Sequence, residues 1–108
     1  MKKISPPLRV AIVGLGHLHP RSYMPLFQAT PAFKVESVVE ADDTLRSAFA
    51  RDFGLREFKT LSELLRQAKP DVAAIFLPHA DCPDAAIACA KAGVHLMIEK
   101  PVAASAAG

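Results

Sequence analysis

Short apolar runs rich in β-branched residues alternate with helix-like segments of roughly ten residues along this chain, and that alternation restricts its fold more than any other feature. Leu8 to Val13, Phe33 to Val39, Val72 to Leu77 and Val94 to Ile98 read as strands, with Glu57-Phe58 as a very short one between the second and third of these. Uninterrupted apolar strands are buried on both faces, and the segments between them are long enough for helical crossovers. The pattern therefore predicts an α/β fold with a parallel sheet covered on both sides. Right-handed crossovers favour the doubly wound order 3-2-1-4-5.

The punctuation agrees with that reading. A helix is predicted from about His19, with Pro20 suited to its first turn and Pro25 expected to kink or shorten it. Asp42 or Asp43 caps a second helix carrying Leu45, Ala48, Phe49 and Phe53, which Gly54 closes. Thr60-Leu61-Ser62-Glu63 has capping-box spacing and starts a small helix ending near Lys69. Asp81 or Pro83 opens an alanine-rich helix through Ala92, and Ala103 to Gly108 resembles the opening of a further one.

Composition narrows the function classes. The 108 residues suit one domain with a modest core, and 51% apolar content argues against disorder. A net charge of +2, with both signs interspersed, offers no basic stripe for nucleic acid. Cys82 and Cys89 lie seven apart on one predicted helix, about 10 Å along its axis, too far for a disulfide. Both are read as reduced thiols of a cytoplasmic protein. Arg9 interrupts the only run that resembles a signal peptide, and no apolar stretch approaches bilayer length.

The chemistry-bearing residues fall after strand carboxyl ends. Gly14 and Gly16 follow the first strand and fit the first two glycines of a dinucleotide fingerprint. One permits the tight turn, the other lets backbone approach a pyrophosphate, and the helix amino end offers unpaired N–H groups. The third fingerprint position holds His19 instead of Gly or Ala. Glu40 follows the second strand, 24 residues beyond Gly16, near the spacing of the acid that holds the adenosine ribose. A carboxylate there repels a 2′-phosphate, and Ala41 supplies no compensating arginine, so NAD is favoured over NADP, which stays possible. Asp42 or Asp43 could take the ribose role instead.

His17 and His19 flank Leu18, and with His79 and Cys82 they invite a metal reading. A metal needs three or four converging ligands, whereas these sit on separate loops, so none is expected. His17, Leu18 and His79 are read as loop residues near the cofactor. Cys82 has no base tied to it by pattern and is a weak nucleophile candidate. Lys100 stands between Glu99 and Pro101 just after the fifth strand. The proline restricts it to extended geometry, and a desolvated ammonium beside a cofactor could donate to a substrate oxygen or transfer a proton.

Taken together these segments resemble the amino-terminal domain of the Gfo/Idh/MocA oxidoreductases, the family of glucose-fructose oxidoreductase and inositol dehydrogenase. The resemblance runs from about Leu8 to Ala103. It rests on Val10 to Gly16, Tyr23-Met24-Pro25-Leu26, Val38-Val39-Glu40, Phe49 to Gly54, Asp71 to Pro78 and, most specifically, Ala92 to Pro101 with its Glu99-Lys100-Pro101. It implies a Rossmann fold and hydride transfer between a nicotinamide cofactor and a secondary alcohol of a sugar or polyol. It implies that Gly14 and Gly16 meet the pyrophosphate and that Glu40 meets the ribose. Leu77 and Pro78 would lie along the cofactor near its nicotinamide half. Lys100 would contact substrate and cofactor together as the catalytic residue, with Glu99 beside it in the cofactor-binding set.

Where the family commonly has Asn after the fourth-strand proline and His three residues later, this chain has His79 and Cys82. The family's second α/β domain, which brings the lysine's acid/base partner, most substrate contacts and the oligomer interface, has no counterpart in residues 1–108. The expectation is a nucleotide-binding domain with no sustained turnover alone. An absent sixth strand would leave the fifth open and favour marginal stability or self-association. The other readings are a non-catalytic dinucleotide sensor and a flavodoxin-like module that binds no dinucleotide.

Overall fold

The computed structural model describes residues 7–15, 19–77 and 81–98. Strands β1 (Leu8–Val13), β2 (Phe33–Val39), β3 (Arg56–Phe58), β4 (Val72–Ile75) and β5 (His95–Ile98) alternate with helices α1 (His19–Ala29), α2 (Asp43–Phe53), α3 (Leu61–Gln67) and α4 (Cys82–Lys91). All strand pairs are parallel, in the order β3-β2-β1-β4-β5. This is the doubly wound order predicted from the crossovers. No helix among the described residues is long and apolar enough to cross a membrane.

The central strands are buried on both faces, as continuous apolar runs require. Val10, Ile12, Ala74 and Phe76 meet Met24 and Phe27 of α1 and Phe49 and Ala50 of α2 on one side. Ala11, Val13, Ala73 and Ile75 meet Leu64 of α3 and Ala85 and Cys89 of α4 on the other. Cys82 and Cys89 are both free thiols.

Two local features differ from expectation, and one strand pairing is irregular. Helix α1 continues past Pro25 to Ala29 and is not shortened there. The proline leaves the Arg21 carbonyl without its helical donor, but burial of Met24 and Phe27 on either side outweighs a penalty of about 3 kcal/mol. Strand β4 ends at Ile75 instead of Leu77, although Phe76 still donates its N–H to the Val13 carbonyl at 2.7 Å. Strand β2 slips by one residue against β1, since Val10 pairs with Val35 but Ala11 pairs with Ser37. The extra residue, Glu36, lets Val35 and Val38 pack on the same face although they are three apart.

The caps follow the sequence closely. Asp42 accepts the Leu45 N–H at 3.0 Å and Gly54 ends α2 in the left-handed region at φ 67°. Thr60 accepts the Glu63 N–H at 3.3 Å and its hydroxyl donates to the Glu63 carboxylate at 3.1 Å. Asp81 precedes α4 with no side-chain cap bond, and Pro83 sits in the first turn.

Candidate functional site at the carboxyl rim of the sheet

Two parallel strands running side by side deliver their next residues to one rim. Gly14 follows β1 and Glu40 follows β2, and the rim is stitched by backbone: Gly14 donates its N–H to the Val39 carbonyl at 2.9 Å, and Glu40 donates to the Phe58 carbonyl at 3.2 Å. Gly14 turns the chain at φ 94°, a region open to glycine and strained for other residues. A Cβ there would stand 2.7 Å from Leu77 Cδ2 and 3.2 Å from the Leu77 backbone nitrogen. Gly14 and Leu77, taken from the loops after β1 and β4, are thus in close packing contact.

The Glu40 carboxylate reaches across the rim. Its Oε1 accepts the Leu15 N–H at 2.6 Å and its Oε2 accepts the Asp42 N–H at 2.9 Å. An ionised carboxylate has about four acceptor positions, and the described residues fill two of them. The neighbouring acids are otherwise engaged. Asp42 caps α2, and Asp43 pairs with Arg46 at 2.7 Å and lies 3.9 Å from Lys59. Arg46 and Lys59 hold the Asp43 carboxyl below the usual range, the Arg46 hydrogen bond being the larger cause. Of the three acids considered for the ribose, Glu40 is the one whose carboxylate faces the β1 turn.

Arg46 is the residue that sequence reasoning missed. Ala41 carries no cation, but the guanidinium arrives one turn later and donates to the Glu40 carbonyl at 2.8 Å. Its nearness to Asp43 was readable as an i, i+3 pair; its bond to Glu57, at 3.0 Å, needs the β2–β3 pairing.

Behind the rim, Cys82 donates its thiol to the Leu77 carbonyl at 3.3 Å, tying α4 to the loop after β4. Cys89 is buried under the sheet, and that burial pushes its thiol up from the ordinary value. A small apolar cleft of about 160 Å³ lies between α1 and α2, lined by Leu15, Pro20, Arg21, Leu45 and Phe49. It is too small for a dinucleotide, whose sites occupy several hundred Å³.

Gly14, Glu40 and Leu77 are therefore brought to one rim. Gly16, His17, Leu18, Pro78, His79, Glu99 and Lys100 lie outside the described residues. His19 opens α1. Among the described residues no three His, Cys, Asp or Glu side chains group as metal ligands.

Comparison with known proteins agrees with this geometry. Residues 8–108 match the family described as the oxidoreductase family with an NAD-binding Rossmann fold, Gfo/Idh/MocA. A protein of Amycolatopsis mediterranei assigned as a UDP-kanosamine synthase oxidoreductase subunit is 30% identical over 100 residues, 93% of this chain and 28% of its own length. The WlbA dehydrogenase of Chromobacterium violaceum, in complex with NADH and UDP-GlcNAcA, superposes with a TM-score of 0.81 at 27% identity, over 90% of this chain and 28% of that one. Biliverdin reductase of Synechocystis, in complex with biliverdin and NADP+, superposes with a TM-score of 0.76 at 26% identity, over 89% of this chain and 30% of that one. This chain thus spans under a third of the length of each of these relatives. From sequence, strand order and similarity alike, the chain belongs to the Gfo/Idh/MocA oxidoreductase family, with its NAD-binding Rossmann fold.

Proposed function

We propose that this chain is the dinucleotide-binding domain of an NAD(P)-dependent dehydrogenase that moves a hydride between nicotinamide and a secondary alcohol of a sugar or polyol. The observation that carries the reading is the Glu40 carboxylate facing the β1 turn, with its Oε1 on the Leu15 N–H at 2.6 Å. Such an acceptor suits the paired hydroxyls of an adenosine ribose. The turn itself suits a diphosphate, because α1 begins just beyond it and a helix amino end favours an anion.

When bound, NAD(P) supplies the hydride acceptor and donor. The chain's own residues bind and orient it. The turn at Gly14 and Gly16 would meet the diphosphate, the Gly14 N–H itself being held by the Val39 carbonyl, and Glu40 would accept from the ribose hydroxyls. His17, Leu18, Leu77, Pro78, His79 and Glu99 would line the remainder. Lys100 would donate a hydrogen bond to the substrate oxygen and ease its loss of a proton as hydride leaves the carbinol carbon.

Two relatives support a sugar substrate, since one is assigned to UDP-kanosamine synthesis and the other holds UDP-GlcNAcA. This chain spans 28% of the length of each of those relatives, and the substrate domain of such an enzyme would belong to the remainder. The two free thiols suit a cytoplasmic setting.

Titration of NADH into the chain tests the reading. Enhanced nicotinamide fluorescence that saturates, and that Glu40→Ala weakens at least about tenfold, is expected. No fluorescence change at millimolar NADH would leave a doubly wound domain with a different ligand.

A further inference from the structure

Arg46 makes an unusual commitment for a helix-surface residue. Its side chain is only 13% exposed, and its three nitrogens donate to three separate pieces of chain. Nη1 reaches the Glu40 carbonyl at 2.8 Å, Nη2 reaches Asp43 at 2.7 Å, and Nε reaches Glu57 on β3 at 3.0 Å. Glu40 is consequently held at both ends of its backbone, its N–H by Phe58 and its carbonyl by the guanidinium. From that fixed backbone the carboxylate accepts the Leu15 N–H at 2.6 Å, and the planar fork of an arginine can span these acceptors where a lysine ammonium cannot.

We propose that Arg46 is a positioning residue for cofactor recognition: by clamping the Glu40 carbonyl it aims the Glu40 carboxylate at the rim, and by spending its donors inward it withholds its guanidinium from a 2′-phosphate, so that the domain selects NAD over NADP. This rests on the reading of the rim as a dinucleotide site. A plain staple between α2 and β3 would use the Asp43 and Glu57 contacts alone. The bond to the Glu40 carbonyl is the one that links Arg46 to the ribose carboxylate.

A double-substitution cycle on the whole chain tests it, with folding of each variant checked by circular dichroism. Arg46→Ala is expected to weaken NADH binding about tenfold, and Arg46→Lys by less, because the ammonium can still donate to the Glu40 carbonyl though it cannot span all three acceptors. In a Glu40→Gln background, Arg46→Ala should change NADH affinity by less than about twofold, since the group it positions is already neutral. The preference for NADH over NADPH should shrink in Arg46→Ala. Hydrogen exchange read by NMR should show the Leu15 amide losing protection in Arg46→Ala while the Val38 amide keeps its own. Penalties that add in the double variant, or a Leu15 amide and an NADH:NADPH ratio that Arg46→Ala leaves unchanged, would overturn the role. An unsubstituted chain that binds no NADH would instead remove the cofactor reading on which it stands, a result distinct from additive penalties.

Discussion

Leu77 occupies the space into which any side chain at Gly14 would grow, its Cδ2 lying 2.7 Å from the position of a Cβ there. The glycine is thus required twice, by its φ of 94° and by its neighbour. Gly14→Ala should lose stability on the order of 1–3 kcal/mol from backbone strain alone. For a domain of this size each kcal/mol lowers the melting temperature by roughly 4–8 °C. Leu77→Ala added to it should recover only part of the loss, since the Leu77 backbone nitrogen is also close, at 3.2 Å. Gly54→Ala serves as the comparison: at φ 67° with nothing within 4 Å, it should lose about 1–2 kcal/mol, without affecting NADH binding. Thermal melts that rank Gly14→Ala with the unsubstituted chain would contradict the packing argument.

At the opposite rim, Asp71 ties three strand ends together. Its carboxylate accepts the Arg9 N–H at 2.8 Å, its N–H donates to the Arg9 carbonyl at 2.9 Å, and its carbonyl accepts the His95 N–H at 3.0 Å. The Arg9 backbone amide, and then the Arg9 guanidinium, hold the Asp71 carboxyl below its usual value. A carboxyl lowered on folding contributes stability above its unfolded value, near pH 4, and that contribution is lost as pH falls through the folded one. Asp71→Asn should therefore be less stable at neutral pH and show a shallower acid limb. Urea midpoints measured from about pH 6 down to pH 3 check this. Parallel limbs for the two proteins would show that the Arg9 contacts contribute nothing to the pH dependence.

The order of the elements and the position of Glu40 were legible because each depends on local chemistry: apolar run length, caps, and a carboxylate one residue past a strand. The bulge at Glu36 was not legible. Val35-Glu36-Ser37-Val38 fits either a simple alternation or a slip, and only packing of both valines against α1 and α2 decides between them. Arg46 was missed for a related reason. Its partners Glu40 and Glu57 lie far apart in sequence and meet only once β2 and β3 pair. Pro25 shows tertiary packing overriding a local rule, since the core side chains around it keep α1 helical.

The two thiols should differ sharply in reactivity. Cys89 is fully buried and its thiol is pushed up by that burial, whereas Cys82 is half-buried with its Sγ 3.3 Å from the Leu77 carbonyl. A thiol-disulfide reagent such as Ellman's should modify Cys82 in the native chain and reach Cys89 only on unfolding. Because Leu77 packs against the Gly14 turn, NADH should slow modification of Cys82. In Cys82→Ser the fast phase should vanish. Equal rates for both thiols would mean that α4 does not stay packed on the sheet in solution, and a Cys82 rate indifferent to NADH would separate the Leu77 loop from the cofactor site.

Among the described residues, β5 pairs with β4 alone, and Leu96 and Met97 on it are 40% and 38% exposed. Successive strand residues point to opposite faces, so this edge presents apolar surface on both sides along with a row of backbone donors and acceptors. Pairing with a second copy would cover all three. The chain should therefore sediment as a concentration-dependent mixture heavier than its 11.6 kDa monomer. Leu96→Lys with Met97→Lys should shift it toward the monomer, because charged side chains on an edge strand disfavour further pairing. Neither residue belongs to the two buried clusters, so the double variant should keep its unfolding free energy within about 1 kcal/mol of the parent. A parent that sediments as monomer at all concentrations would show that this edge is already satisfied, and an associated state that survives both lysines would place the contact elsewhere on the molecule.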